Sequence, residues 1–148
     1  MAEYNEDAYK LARKAYIEHS CPFERALLSR CVNCGRSRKL NLAEREAIAC
    51  GDVVMREHCL TFYQALHENA QFALKINPDA PWPFGKEIRA QCGGVRGLAE
   101  AMDATADEAT DIAATVLQGE ERFGGCAEFP YSEIMRAVVH YEPRKRRS

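Results

Sequence analysis

Apolar side chains recur at helical spacing along most of the chain. The longest such stripe runs from Asp52 to about Ile76, and this is the pattern of an amphipathic helix with one buried face. Asp52 is a residue type that caps the first turn of a helix. Shorter helical patterns precede and follow the stripe, and no persuasive alternation of apolar and polar residues indicates a strand. The pattern therefore predicts an all-α fold, a single compact domain of about five to seven helices.

Turn-forming residues divide this helical pattern. Asn41 followed by Glu44 resembles a capping box, which predicts a short helix from Leu42 to Cys50. Three prolines in the stretch 77–85 exclude a helix or a regular strand there, and we interpret Trp82 in that loop as a lid over the core. Basic residues close the chain and predict a disordered tail over residues 143–148, which leaves residues 1–142 as the helical domain.

Composition and charge narrow the class of protein. The chain has 148 residues, of which 47% are hydrophobic and 28% charged, as in ordinary globular proteins. The net charge of −2 argues against a general nucleic-acid binder. No apolar run approaches the roughly 20 residues that span a bilayer, and the acidic start of the sequence is unlike a secretory signal. We therefore expect a cytoplasmic protein without a membrane partner.

Seven cysteines are the unusual feature of the composition. Without an export signal, such a number points to metal binding or redox chemistry before a disulfide framework. Cys31 and Cys34 form a C-x2-C pair, whose spacing brings two thiols to one side of a helical turn. The other cysteines are more widely spaced: Cys21, Cys50, Cys59, Cys92 and Cys126.

Several interpretations of the cysteines remain open at this level. A [4Fe–4S] cluster needs four thiolates, which can come from separate helices and loops. Structural zinc usually shows two close pairs of ligands, and only one pair is present here. Buried cysteine also serves as a small apolar side chain, and Cys126 is best interpreted in that way, with Cys31 as a second candidate. A dithiol redox site of the thioredoxin type would need a βαβ setting, which the pattern does not predict.

Several segments carry a resemblance to a known group of proteins. They are Cys21-Pro22-Phe23-Glu24-Arg25-Ala26, Ala43-Glu44-Arg45-Glu46-Ala47-Ile48-Ala49-Cys50, Cys59, Phe72-Ala73-Leu74 and Gln91-Cys92-Gly93-Gly94-Val95-Arg96-Gly97-Leu98. In these residues the chain resembles small proteobacterial cysteine-rich helical proteins of the nitrogenase-associated factor T type. The resemblance implies a setting in electron transfer or nitrogen fixation. It favours as metal ligands Cys21, Cys34, Cys50, Cys59 and Cys92, of which four would suffice for a cubane cluster.

The remaining motifs shape the functional hypothesis. The sequence has no P-loop, dinucleotide-binding fingerprint or nucleophile elbow, so we predict neither an enzyme nor a small-molecule substrate. Basic residues near the cysteines would orient an acidic redox partner; these are Arg25, Arg30, Arg36, Arg38 and Lys39. We predict a [4Fe–4S] protein that transfers electrons or docks on a larger redox enzyme such as nitrogenase. The alternative is a zinc-stabilised or metal-free helical adaptor or assembly factor for a larger enzyme.

Overall fold

The structure, a computed structural model, describes residues 7–8, 10–11, 19–42, 45–77, 79–103 and 110–142. The predicted tail at 143–148 lies outside these residues. In chain order the elements are α1 (Glu24–Leu28), β1 (Val32–Asn33), β2 (Ser37–Leu42), β3 (Arg45–Cys50), α2 (Val53–Ala73), α3 (Phe84–Ile88), a π-helical turn (Arg89–Gly93), α4 (Gly94–Ala101), β4 (Thr110–Asp111), α5 (Ile112–Phe123), a 3-10 turn (Cys126–Glu128) and α6 (Tyr131–His140).

The prediction of an all-α fold is wrong, because the chain combines helices with two small sheets. Strands β2 and β3 form an antiparallel hairpin, in register from Ser37 opposite Cys50 to Leu42 opposite Arg45. The two-residue strands β1 and β4 pair in parallel. The predicted helix from Leu42 to Cys50 is therefore a strand over most of its length. The fold is mixed α and β, with helices predominating.

The hairpin escapes a pattern-based prediction because little of it is buried. Leu42, Ala47 and Ile48 are its buried side chains, whereas Arg38, Lys39, Asn41 and Glu46 are exposed to solvent. Asn41, which would cap the predicted helix, instead lies opposite Glu46 in the ladder. Pairing with a partner strand thus overrides the helical preference of alanine, glutamate and arginine in this segment.

Helix α2 is predicted correctly, and it forms the centre of the core. Its stripe of Met55, Cys59, Phe62, Leu66 and Ala70 is buried. The Asp52 carboxylate caps the helix by accepting a hydrogen bond from the Met55 amide at 3.1 Å. Ring contacts extend the core to both sides of the helix, because Phe62 meets Phe23 at 5.9 Å and Phe129 at 5.4 Å between ring centroids.

Two glycines allow α6 to pack closely against α4 and the π-helical turn before it. A Cβ atom at Gly97 would lie 2.9 Å from the Ala137 Cβ and 3.1 Å from the Ile134 Cα. A Cβ at Gly93 would lie 2.8 Å from the Val138 Cα. These contacts fix α6 against the segment that contains Cys92. Within the described residues, no helix combines the length and apolar character needed to cross a membrane.

Candidate metal centre

Two of the predicted ligands lie on one face of the small sheet around the hairpin. Ser20 forms an antiparallel bridge with Ala49. The Cys21 amide donates to the Ile48 carbonyl at 3.0 Å, and the Cys50 amide donates to the His19 carbonyl at 2.8 Å. Residues directly opposite share a face, and so do residues two apart in one strand. Cys21 therefore lies on the same face as Ile48 and Cys50, diagonally across from Cys50.

Cys34 reaches the same region through a tight turn. The Cys34 carbonyl accepts hydrogen bonds from the Ser37 amide at 3.2 Å and the Ser37 hydroxyl at 2.8 Å. Ser37 is the residue opposite Cys50 in the hairpin. The Gly51 amide also donates to the Arg36 carbonyl inside the turn, at 2.8 Å. The backbone thus holds the turn with Cys34 against the end of β3.

Cys59 completes the group from the second turn of α2. Its side chain is buried on the inner face of that helix. The start of the helix is tied to the hairpin, because the Asp52 carboxylate pairs with the Arg36 guanidinium at 3.1 Å. The Cys50 thiol donates to the Asp52 carbonyl at 3.1 Å. We call Cys21, Cys34, Cys50 and Cys59 the cysteine tetrad.

The thiols of the tetrad act on one another electrostatically. The pKa of Cys21 is raised to about 12, mainly by burial; the hydrogen bond from the Phe23 amide opposes this rise, and negative charge at Cys34 and Cys50 adds to it. Burial likewise raises the pKa of Cys59 to about 12, with added contributions from the other three members of the tetrad. Arg36 is the cation that opposes this rise at Cys59. Without a bound cation, Cys21 and Cys59 therefore stay protonated at neutral pH.

The tetrad is not closed around one point. Over the described ranges, no three His, Cys, Asp or Glu side chains are grouped as a metal ion would require. A single zinc ion would draw four sulfurs to about 2.3 Å from itself. The tetrad is thus a set of neighbouring thiols that could hold a cation after side-chain rotation and loss of protons.

The fifth predicted ligand is bonded elsewhere. Cys92 forms a disulfide with Cys31, 61 residues away in sequence. In this form Cys92 has no thiolate to offer a metal, and the tetrad contains the other four predicted ligands. The disulfide also separates the C-x2-C pair. The residues between Cys31 and Cys34 form strand β1 and not the helical turn expected from the spacing.

Cys126 lies apart from both groups. It is buried in the core, as expected, 3.2 Å from the Tyr131 hydroxyl. That hydroxyl donates to the Cys126 carbonyl at 2.8 Å. Burial raises the pKa of the Cys126 thiol. This cysteine is therefore a structural residue with a local polar partner.

A second polar cluster was not predicted from the sequence. The carboxylate of Glu87, which is only 7% exposed, meets the Tyr63 hydroxyl at 3.1 Å, the His67 ring nitrogen at 3.0 Å and the Gln91 amide at 2.6 Å. Gln91 in turn accepts from the Ala26 amide at 3.0 Å, next to the tetrad's first segment. Trp82 covers the cluster by stacking on His67 at 4.0 Å.

The cluster is structural in character. Burial acts to raise the pKa of Glu87, but its hydrogen bonds, with His67 foremost, outweigh burial and hold the pKa below the usual 4.5. All of its acceptor and donor groups are matched within the protein, and no buried side-chain nitrogen or oxygen lacks a partner among the described residues. Tyr63 and His67 lie one helical turn apart on α2, and Glu87 and Gln91 lie four residues apart in the later segment. Each spacing is typical of a helix, but neither pattern encodes the contact between the two segments.

Comparison with protein-family models, with curated proteins and with solved structures finds no match to this chain. The resemblance to nitrogenase-associated proteins therefore stays an expectation from the sequence.

Proposed function

We propose that this protein binds a [4Fe–4S] cluster through Cys21, Cys34, Cys50 and Cys59, and that it transfers electrons or docks on a larger redox enzyme. The observation that carries the proposal is that thiols from four separate segments lie near one another, close enough for Cys34 and Cys50 to raise the pKa of both Cys21 and Cys59. They come from the segment before α1, the turn after β1, the end of β3 and the second turn of α2. Four cysteine thiolates are the ligand set that such a cluster requires.

The open arrangement of the tetrad is compatible with a cluster. In a cubane each thiolate binds its own iron, so the four sulfurs stay farther apart than around a single zinc ion. The disulfide at Cys92 supports the choice of these four cysteines. It removes one of the five predicted ligands and leaves the four that a cluster requires. Zinc with the same four ligands would need a tighter arrangement, and we retain it as an outcome of the test.

The chain's own groups would stabilise bound thiolates. Arg36 lies close enough to Cys59 to lower its pKa. The backbone amide of Phe23 forms a hydrogen bond that favours the charged form of Cys21. Loading would release the protons of the thiols, so affinity should rise with pH. The cluster would supply one-electron redox chemistry, with the tetrad holding it beside the exposed hairpin.

The partner we propose is a larger redox protein, with nitrogenase as the example that the resemblance suggests. Arg38 and Lys39 are exposed on β2, on the hairpin that carries Cys50. Lys39 is paired with Glu46 at 3.0 Å and Arg36 with Asp52, so part of this charge is already balanced. The positive charge that is not balanced in this way would orient an acidic partner surface. The proposal places the protein in the cytoplasm and assigns it no reaction on a small substrate.

The test is the content of iron, sulfide and zinc in protein purified without oxygen, together with its visible spectrum. Four irons and four sulfides per chain, with broad absorption near about 400 nm, are expected of a thiolate-bound [4Fe–4S] cluster. Cys50→Ser and Cys59→Ser should each lower the iron content. Cys126→Ser is the matched control, because Cys126 is also a free, buried thiol but lies outside the tetrad.

Two other outcomes of this metal analysis would point to different functions. One zinc per chain, lost in the tetrad variants and kept in Cys126→Ser, would replace the cluster by a structural zinc site. Colourless protein without metal, unchanged in the tetrad variants after anaerobic reconstitution with iron and sulfide, would contradict the proposal and leave a metal-free adaptor.

A further inference from the structure

We propose that Cys31 is a thiol–disulfide exchange site that reacts with small anionic thiols. The site is the Cys31–Cys92 disulfide, with Ser29 beside it and Arg30 next in the chain. It is separate from the cysteine tetrad, and its chemistry requires no metal. The proposal therefore stands or falls independently of the proposed cluster.

Accessibility determines which sulfur is attacked. Cys92 is fully buried in the π-helical turn. Cys31 is partly exposed, and its neighbours Ser29 and Arg30 are exposed at the end of α1. An incoming thiolate must approach along the axis of the disulfide to one sulfur atom. The exposed side of the bond leads to Cys31, so Cys31 accepts the incoming thiol and Cys92 is the leaving group.

Ser29 is placed to stabilise the sulfur that leaves. Its hydroxyl oxygen lies 3.7 Å from the Cys92 sulfur and 3.5 Å from the Cys31 sulfur. A hydroxyl can donate to a thiolate, and a better-stabilised leaving thiolate departs faster. The Ala26 carbonyl lies 3.5 Å from the Cys31 sulfur. It can accept from the Cys31 thiol once that thiol has been released.

The reaction consumes two thiols and is balanced as follows. The first thiolate forms a bond to the Cys31 sulfur, the Cys31–Cys92 bond breaks, and Cys92 leaves with the electron pair and takes up a proton. A second thiolate then attacks the sulfur of the mixed disulfide that came from the first thiol. Cys31 leaves as a thiolate and is protonated. The protein gains two electrons and two protons, and the small thiol is oxidised to its disulfide.

The positive charge of Arg30, the residue directly before Cys31, gives the preference for anionic thiols. Arg30 lines a groove of about 310 Å³ together with Leu27, Leu28 and Val32, and Cys34 of the tetrad lines the same groove. Lys39 also lines it but is paired with Glu46. Arg30 forms no ion pair with another described residue, so it leaves unbalanced positive charge at the groove. Positive charge attracts thiolates and the carboxylates that small biological thiols carry.

The first experiment counts thiols in denatured protein prepared without reductant. Five reactive thiols are expected before reduction and seven after it, since the sequence has seven cysteines and five are free. Seven thiols before reduction would overturn the proposal, whatever the metal content of the same sample.

The second experiment locates the exchange. Native protein is treated with reduced glutathione, quenched with acid, and the adduct is assigned by fragmentation in a mass spectrometer. The expected adduct is on Cys31. In parallel, the free Cys31 of Cys92→Ser should react with oxidised glutathione about tenfold faster, or more, than the buried Cys92 of Cys31→Ser. A first adduct on Cys92, or equal rates in the two variants, would overturn the proposal.

The third experiment tests the charge preference. Reduction of the disulfide by anionic glutathione is compared with reduction by neutral 2-mercaptoethanol. Arg30→Gln should lower the rate ratio of the two thiols by about twofold or more, because one nearby charge is removed. Arg38→Gln is the matched control, since Arg38 is an exposed cation of β2 outside the groove lining. An equal change in both variants would contradict the assignment of Arg30.

Discussion

The surroundings of each cysteine determine its chemistry. Cys21 and Cys59 are neighbours of other thiols, and their pKa values rise to about 12. Cys126 is alone in the core beside Tyr131. Cys31 and Cys92 are bonded to each other. The residue type alone thus indicates redox or metal chemistry, whereas the assignment of each cysteine depends on contacts between distant segments.

The raised pKa values of Cys21 and Cys59 predict a loss of stability at alkaline pH in metal-free protein. An unfolded cysteine titrates near 9.0, and these two titrate near 12 in the folded chain. The unfolded chain therefore loses protons first, so the stabilisation is complete below pH 9 and falls as the pH rises toward 12. Urea denaturation across this range should show a shallower fall for Cys59→Ala than for the unchanged protein. Parallel curves would contradict the prediction.

The lowered pKa of Glu87 predicts a loss of stability at acidic pH. Its pKa is held below 4.5 by its hydrogen bonds, so its contribution is present above pH 4.5 and is lost as the pH falls through the folded pKa. Glu87→Gln should cost about 2 kcal/mol at neutral pH, because a carboxylate with three partners is lost from a mostly buried site. Denaturation with urea at neutral pH and near pH 3 measures the change, which should shrink in acid. Glu121→Gln, on the exposed face of α5, should have no such effect.

At the scale of elements, the sequence predicts the amphipathic helix α2 and misses the hairpin, whose strands bury few apolar side chains. The helical spacing of apolar residues from Met55 to Ala70 predicts the buried stripe of α2. The hairpin shows no comparable pattern, because its outer positions are charged and it buries few apolar side chains. Of the candidate site, the five predicted ligands followed from residue type and resemblance, but the loss of Cys92 to a disulfide did not. Its partner is 61 residues away, and no local pattern encodes such a contact.

A pair of glycines tests the packing of α4 against α6. Gly97→Ala should destabilise the protein by about 1–3 kcal/mol, because the added methyl group would collide with backbone and side-chain atoms of α6. Gly85→Ala has open space around its Cβ in α3 and should be neutral or stabilising by up to about 1 kcal/mol, because alanine favours the helix. Thermal denaturation of both variants measures the difference. Equal destabilisation would show that α4 and α6 are not as tightly packed as described.

At the scale of the molecule, the helical core and the hairpin are stabilised in different ways. The long helix packs with α4, α5 and α6 around a core that includes Phe62, Leu66 and Leu98. The hairpin contributes only a small separate cluster of Leu42 and Ala47. A hairpin with so little buried apolar surface is marginal by itself. Its attachment relies on hydrogen bonds, the Arg36–Asp52 pair and, on our proposal, the bound cluster.

This division predicts where the chain would loosen if the proposed metal were removed. All four proposed ligands lie between Cys21 and Cys59, so removal should raise amide hydrogen exchange in residues 19–52 far more than in α4, α5 and α6. Exchange measured by mass spectrometry on loaded and stripped protein gives the comparison, with Cys126→Ser as a control that keeps its metal. Cys50→Ser should already show the stripped pattern. Uniform loosening across both regions would mean that the tetrad supports the whole core, and no change would mean that it binds nothing that the fold depends on.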